Sequence, residues 1–356
     1  MPRSRTAFVI MAGGRGERLW PLVCASVPKV CVSVDGKRTL LENTLARLRA
    51  IDPRAQTLIV TTAPQARAIE RVLGRASKRQ MLIEPQPKNT AACIALAAQT
   101  LAERDPHLVM AVVPADHWIR PLEAFRRSMR AAIDAAAASD QLVTIGLRPT
   151  RVHPGLGHLC AGRLEGVRHG CRVFHLRRFV EKPSPRLAQR LMAQGPVYWN
   201  SGCFVGRVTT FLDRIQEALP DHARRLFPLA GATTAQAFIR RASAAYRLLR
   251  AVSFDDGVMA YLKDGLIVEG TFAWEDLGSW DSWVRISPAV DAVLTLRGHG
   301  VRVVSRPRHL VVTVGLRDVI VVHTPHATLG CRADHAQDVR EITSRLARDR
   351  QLWRYA

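Results

Sequence analysis

Lysine is scarce in this chain. Only six of its 356 residues are Lys (Lys29, Lys37, Lys78, Lys88, Lys182 and Lys263), against 46 Arg. Acids are few too, and 30 Asp plus Glu leave a formal net charge of +22. A charge of that size invites a nucleic-acid reading. Two absences weaken it. The chain has no run of five or six like charges, and no aromatic residues interleave with a basic stripe. The Arg are spread along the whole length beside abundant Ala, as in Ala135 to Ala138, which reflects base composition more than a binding stripe. No nucleic-acid partner is expected.

Other absences exclude further classes. No apolar run reaches the roughly 18 residues that a membrane span needs. Met1 to Arg5 is basic, but the apolar run Ala7 to Ala12 is too short for a secretory leader and glycines follow it. A cytoplasmic protein with no membrane partner is the default expectation. The seven cysteines are odd in number and lack a C-x-x-C pair, so neither a disulfide framework nor a zinc site is supported. They read as reduced thiols packed as small hydrophobes. The histidines show no metal-ligand spacing; His117 either supports its neighbour Asp116 or faces solvent.

What is present is a chain that is 47% hydrophobic, enough for a sizeable core. Its length suits two average domains, or one large α/β domain with an appendage. The first half alternates strand-like runs (Phe8 to Met11, Leu58 to Val60, Met81 to Ile83, Val109 to Val113, Leu142 to Ile145) with helical ones (Leu40 to Leu48, Gln65 to Leu73, Thr90 to Ala102, Glu123 to Ala138). That alternation predicts an α/β fold, a Rossmann-like, mostly parallel sheet with helices on both faces. Ligands of such sheets sit beyond the carboxyl ends of the strands, here just after Met11 and Val113. Glycines between Gly155 and Gly170 predict short antiparallel strands and turns. Helices are predicted over Arg186 to Met192, Phe211 to Ala218 and Thr234 to Tyr246. Beyond a boundary near Pro288, Val-rich runs and a helix around Val339, Ile342 and Leu346 predict a small β-rich appendage. The expected division is 1–288 and 289–356.

The richest segment is Gly13-Gly14-Arg15-Gly16-Glu17-Arg18-Leu19-Trp20-Pro21-Leu22, directly after the first strand. Three glycines in four positions let backbone N–H groups approach an anion, and Arg15 and Arg18 add cationic forks. It is no P-loop, since no Gly-Lys-Ser/Thr follows, and no dinucleotide fingerprint, since the third glycine is missing. An ordinary glycine-rich turn is the plainer alternative. Asp116 follows an apolar strand, where a carboxylate can hold Mg²⁺ against a triphosphate or can cap a following helix. Asp276, between Trp274 and Trp280, reads as a residue of an apolar setting where an unpaired carboxylate is costly; a metal or a buried Arg would satisfy it. Glu181 and Lys182 point to opposite faces unless the strand before them ends there, and a surface ion pair is the plainer reading. Asn200 can donate and accept at once, as a hydroxyl-rich ligand requires, or serve as a turn residue. Asn89-Thr90 opens a helix and can act as a cap that still presents free N–H groups.

Gly13 to Leu22 with Pro28-Lys29 resembles the signature of sugar-1-phosphate nucleotidyltransferases, whose fold is GT-A-like. Further strings narrow the resemblance to the mannose-1-phosphate guanylyltransferases. They are Glu84-Pro85 with Lys88-Asn89-Thr90-Ala91, Val113-Pro114-Ala115-Asp116-His117, Phe179-Val180-Glu181-Lys182-Pro183, Trp199-Asn200-Ser201-Gly202-Cys203-Phe204 and Trp274-Glu275-Asp276-Leu277-Gly278-Ser279-Trp280. They keep the family's order over roughly residues 6–283. The resemblance implies GTP and mannose 1-phosphate as substrates, GDP-mannose and pyrophosphate as products, and Mg²⁺ on Asp116 and Asp276. It implies catalytic roles for Arg18, Lys29, Asp116, Lys182 and Asp276. Gly13, Gly14, Arg15, Gly16, Glu84, Asn89 and Thr90 would hold the nucleotide; Glu181, Lys182 and Asn200 would hold the sugar phosphate. A homodimer is left open.

The match has gaps on the sugar side. The family's Thr-Gly-Tyr-Gly-Tyr-Ile reads Pro154-Gly155-Leu156-Gly157-His158-Leu159, so both tyrosines are lost. After Ser253-Phe254-Asp255 the usual Glu-Lys is Ala260-Tyr261, and the tail string reads His326-Ala327-Thr328-Leu329-Gly330. Two alternatives follow: an enzyme with another sugar or nucleotide choice, and a catalytically impaired paralogue that binds a nucleotide sugar as a regulatory or partner subunit. A further isomerase domain, which some longer relatives carry, is not expected within these 356 residues.

Overall fold

Phe8 and Ile10 face one side of the first strand, Ala7 and Val9 the other, and all four are buried. A strand buried on both faces belongs in the middle of a covered, largely parallel sheet. The structure, a computed structural model, describes residues 6–231, 235–287, 292–305 and 309–356. Met1 to Arg5, Thr234 and the 288/289 junction lie outside the described residues.

The first half runs β1 (Thr6–Met11), α1 (Leu40–Arg49), β2 (Gln56–Thr62), α2 (Ala63–Leu73), β3 (Met81–Glu84), α3 (Asn89–Ala102), β4 (Val109–Pro114), β5 (His117–Arg120), α4 (Leu122–Ala138) and β6 (Leu142–Leu147). Each predicted strand and helix of this half is present. Local chemistry sets the ends. Thr39 and Glu42 form a capping box at the start of α1, each side chain taking the other's backbone N–H, at 3.2 and 2.8 Å. The chain then adds β7 (His158–Arg168), β8 (Cys171–Val180), α5 (Pro185–Ala193), β9 (Val197–Arg207), α6 (Val208–Ala218), α7 (Pro220–Leu226), α8 (Ala235–Leu248), α9 (Phe254–Gly257), β10 (Gly265–Gly270), β11 (Ala273–Asp276) and α10 (Trp280–Ile286).

Nine strands form one sheet in the order β3-β2-β1-β4-β9-β6-β10-β8-β7. β8 and β9 run against the others, so the sheet is mixed but mostly parallel. β2 and β4 flank β1 on opposite sides, which makes the carboxyl end of β1 a topological switch point. Helices cover both faces. Leu41, Leu45 and Leu48 of α1 pack with Phe125 and Met129 of α4 on one; Ala92 to Ala98 of α3 pack with Phe211 and Ile215 of α6 on the other.

The middle differs from expectation. Instead of short strands, β7 and β8 form a long hairpin, closed by His169 and Gly170, both with positive φ. Gly162 and Gly166 lie inside β7 near shifts of register rather than in turns. A glycine within a strand commonly marks such an irregularity.

The appendage holds β12 (Val293–Leu296), β13 (Arg302–Val304), β14 (Val311–Val314), β15 (Val319–His323), β16 (Thr328–Arg332) and α11 (Val339–Arg348). It does not stand apart. Ile320, Val322, Leu329 and Val339 share a buried cluster with Leu19 and Trp20 of the signature turn and with Trp280 and Trp283. Trp20 Nε1 donates to the Tyr355 carbonyl at 2.6 Å. No helix of the described residues is long and apolar enough to cross a membrane.

Candidate active site

A cleft of about 680 Å³ opens beyond the carboxyl ends of β1 and β4. Every candidate site residue singled out from the sequence lines it.

The glycine turn forms its floor. Thr61 Oγ1 donates to the Ala12 carbonyl at 2.8 Å, and Gln65 Nε2 donates to the carbonyls of Gly13 and Gly14 at 3.2 and 3.0 Å. The N–H groups of residues 13–16 find no partner among the described residues. A turn tied down by its carbonyls with its donors free is built for an anion. Gly16 has φ +69°, and a Cβ there would come within 2.7 Å of Lys29 Cβ, so no side chain fits. Arg18 Nη1 donates to Gln337 Oε1 at 2.8 Å. Arg15 stands at the mouth, largely exposed beside Glu17.

Lys29 is not merely near the cleft. Its side chain is 6% exposed, and Nζ lies 2.5 Å from Asp116 Oδ2 and 3.7 Å from Asp276 Oδ1. The two acids, far apart in sequence, meet because β5 and β11 pair antiparallel with His117 opposite Asp276. Burial pushes the Asp116 carboxyl up, but Lys29, by its charge and its hydrogen bond, holds it below the usual range. Burial lowers the His117 imidazole below its ordinary value, against the pull of Asp116 and Asp276. Its Nδ1 accepts the indole N–H of Trp274 at 3.1 Å, which leaves the ring proton on Nε2.

Two sequence readings need correction here. Asp116 caps no helix, because the strand β5 follows it. Asp276 is not in an apolar setting: its side chain is 44% exposed, and Trp280 turns away to donate to the Trp20 carbonyl at 2.9 Å. Neither acid pairs with an Arg among the described residues.

Two carboxylates converging on one ammonium also suit a divalent cation, with hard oxygen ligands on one side and room for phosphate and water on the other. No group of three or more His, Cys, Asp or Glu side chains could hold a metal among the described residues. Any metal here would therefore complete its shell with water, carbonyl or phosphate oxygens.

The carboxyl end of β3 supplies Glu84. It is 4% exposed, its Oε1 accepts from Tyr246 at 3.1 Å, and Oε2 turns towards Gly13. Burial raises its pKa to about 7, opposed by the Tyr246 hydroxyl. Asn89 opens α3 with φ +66°, and its Oδ1 takes the Thr90 N–H at 2.9 Å. The Thr90 hydroxyl is occupied, accepting the Phe254 N–H at 2.8 Å.

At the other end β8 stops at Val180, so Glu181 and Lys182 both reach the cleft. Lys182 has φ +40° and its Nζ lies 2.7 Å from Glu181 Oε1. Asn200 lies in a strand, not a turn, and its amide is engaged at both ends. Oδ1 accepts from Thr144 Oγ1 and the Gly202 N–H, at 3.0 and 3.2 Å, while Nδ2 donates to Asp255 Oδ1 at 2.6 Å. Asn200 thus orients Asp255, a site residue that the sequence reading missed. Burial first, then Glu181, raises Asp255 to about 7, with Lys182 opposing. Only its place within Ser253-Phe254-Asp255 could have flagged it. Leu156 lines the cleft as well, whereas Ala260 and Tyr261 are exposed outside it.

Known proteins match along most of the chain. The family model described as nucleotidyl transferase matches residues 7–293, and that of the mannose-phosphate isomerase/GMP-like β-helix domain matches 298–346. A Vibrio cholerae protein named putative mannose-1-phosphate guanylyltransferase is 33% identical, covering 95% of this chain and 74% of the relative. The mannose-1-phosphate guanylyltransferase of Escherichia coli K12 is 31% identical, with 98% and 75% covered. A solved Thermus thermophilus protein, described as a mannose-1-phosphate geranyltransferase, superposes with a TM-score of 0.81 at 30% identity, over 96% of this chain and 99% of that one.

Proposed function

The chain belongs to the nucleotidyl transferase family, and on that premise we propose that it is a mannose-1-phosphate guanylyltransferase, joining GTP and mannose 1-phosphate into GDP-mannose with release of pyrophosphate. The observation that carries the reading is Lys29 Nζ between Asp116 and Asp276, beside a turn with free N–H groups. Such a site gathers the charges of a triphosphate whose α-phosphorus is to be attacked.

Two anions must meet, so positioning and neutralisation dominate the chemistry. The free amides of residues 13–16, with Arg15 and Arg18, hold the β- and γ-phosphates as the leaving group. Glu84, Asn89 and Thr90 take the base and ribose; an ionised Glu84 Oε2 is an acceptor of the kind that a guanine N–H edge requires. Lys182 holds the attacking phosphate, and Glu181 and Asp255 accept sugar hydroxyls. A phosphate oxygen of the sugar phosphate forms the new bond to the α-phosphorus as the bond to pyrophosphate breaks. No general base is needed, because that oxygen is already ionised at neutral pH. Mg²⁺ is the cation we assign to Asp116 and Asp276, where it supplies charge neutralisation when bound. Lys29 steadies the same carboxylates without it.

Residues 1–288 carry this chemistry in our reading, and 289–356 brace it. The seven free cysteines suit a cytoplasmic setting. The impaired-paralogue alternative drew on the lost tyrosines, the tail string and Ala260-Tyr261; of these, Ala260 and Tyr261 lie exposed outside the cleft, which removes their support. Crossing four nucleoside triphosphates with several sugar 1-phosphates tests the proposal. GTP with mannose 1-phosphate is expected to release pyrophosphate fastest. A better pair contradicts the assignment of substrates, and no release with any pair contradicts the enzyme.

A further inference from the structure

Arg47 is a cation in the wrong place for a structural residue. It lies on α1 among Leu41, Leu45 and Leu48 and is 5% exposed. No carboxylate pairs with it among the described residues. Burying a charge without a counterion is costly, and the site shows the strain. Burial lowers the guanidinium to about 10, and Asp116 is among the groups that offset this. An apolar side chain of similar length would fill the position without that cost.

Its contacts lead to one place. Arg47 Nη2 donates to Thr44 Oγ1 at 2.5 Å, and the guanidinium lies 5.7 Å from the centre of the Phe125 ring. Thr44, fully buried, donates in turn to the carbonyl of Ala115 at 3.0 Å. The Ala115 N–H donates to the Met11 carbonyl at 3.1 Å. Ala115, the residue just before Asp116, is therefore pinned on both sides, by its N–H to the end of β1 that carries the glycine turn and by its carbonyl, through Thr44, to the buried cation. A charged donor polarises the hydroxyl between them and strengthens its bond to the carbonyl.

We infer that Arg47 is a positioning residue for the Asp116 carboxylate, acting through the Thr44 hydroxyl and the Ala115 carbonyl. The inference rests on the reading of Asp116 as a metal ligand. Lys29 touches Asp116 from the side of the cleft, where it must be shared with phosphate once a nucleotide is bound. Arg47 lies behind, out of reach of any ligand, and keeps its hold on the loop when Lys29 is drawn away.

The test reads metal affinity without turnover. Mn²⁺ binding is followed by electron paramagnetic resonance in the presence of GTP and the absence of sugar phosphate. Thr44→Val keeps the shape and removes the relay; Thr44→Ser keeps the hydroxyl. Thr44→Val should weaken Mn²⁺ binding about tenfold, the lower end for groups that support a metal ligand. Thr44→Ser should stay within about twofold of the parent, and melting curves report the fold of both. Arg47→Met should weaken binding at least as much; if it does not fold, the Thr44 pair still decides. Unchanged Mn²⁺ affinity in folded Thr44→Val overturns the relay alone. Failure of the unsubstituted protein to bind Mn²⁺ overturns the metal reading on which it rests.

Discussion

Arg18, in the glycine-rich turn, is held by Gln337, 319 residues further along, through an Nη1–Oε1 hydrogen bond of 2.8 Å. Arg340 Nε adds a second link, 3.3 Å from Glu17 Oε2. The C-terminal region thus sets the posture of a residue assigned to the leaving phosphates. Gln337→Ala should leave the fold intact and raise KM for GTP about fivefold, the size of an ordinary net hydrogen bond of about 1 kcal/mol. KM for the sugar phosphate should hardly move. Steady-state kinetics with each substrate varied in turn checks this split.

Removing Lys29 should be far more damaging. It is buried, and Lys29→Met leaves Asp116 and Asp276 facing each other without their cation. A loss of about 3 kcal/mol of stability is expected from breaking such a pair, with turnover reduced at least about a hundredfold. Urea unfolding measures the first, and added Mg²⁺ should recover part of the stability but not the rate.

Gly157 probes the opposite end. A Cβ there would meet Glu181 Oε2 and the Phe179 ring at 2.8 Å. Gly157→Ala should displace Glu181 and raise KM for mannose 1-phosphate about tenfold. KM for GTP should stay near the parent value. Equal changes in both constants would remove Glu181 from the sugar side.

Stability should depend on pH through two buried acids. Glu84 and Asp255 titrate near 7 in the folded chain, against ordinary values of 4.5 and 3.8. Between about pH 4 and 7 the folded protein keeps protons that the unfolded chain has released. Stability from this source is therefore full below that window and falls as pH rises through it. Denaturation midpoints from pH 5 to 8 should fall more steeply in the parent than in Glu84→Gln with Asp255→Asn. Parallel slopes would contradict the assignment.

Much of this was legible in the sequence, for physical reasons. The strands and helices of the first half announce themselves because β1 and β4 are apolar throughout and the helices carry one apolar face. The signature turn is local, so its glycines and arginines read directly. What was hidden depends on contacts distant in sequence. The β5–β11 pair that joins Asp116 to Asp276 is short, and its partners lie from 153 (Arg120 and Ala273) to 159 (His117 and Asp276) positions apart in sequence. The glycines of β7 read as turns although they lie in a strand with shifted register. Asp255 stayed unmarked within Ser253-Phe254-Asp255 until its hydrogen bond to Asn200 gave it a place. Trp274 and Trp280 suggested an apolar home for Asp276, yet both indoles are turned to other partners. Nothing in Leu40 to Arg49 marks Arg47 as buried.

The most direct test follows the phosphorus. GTP labelled at the α-phosphate, incubated with the protein, Mg²⁺ and mannose 1-phosphate, should pass its label into GDP-mannose, while label at the γ-phosphate should appear in pyrophosphate. Asp116→Asn and Asp276→Asn should each slow both transfers at least about a hundredfold. Retention of the α-label in GTP, or transfer at the parent rate in Asp116→Asn, would contradict the account.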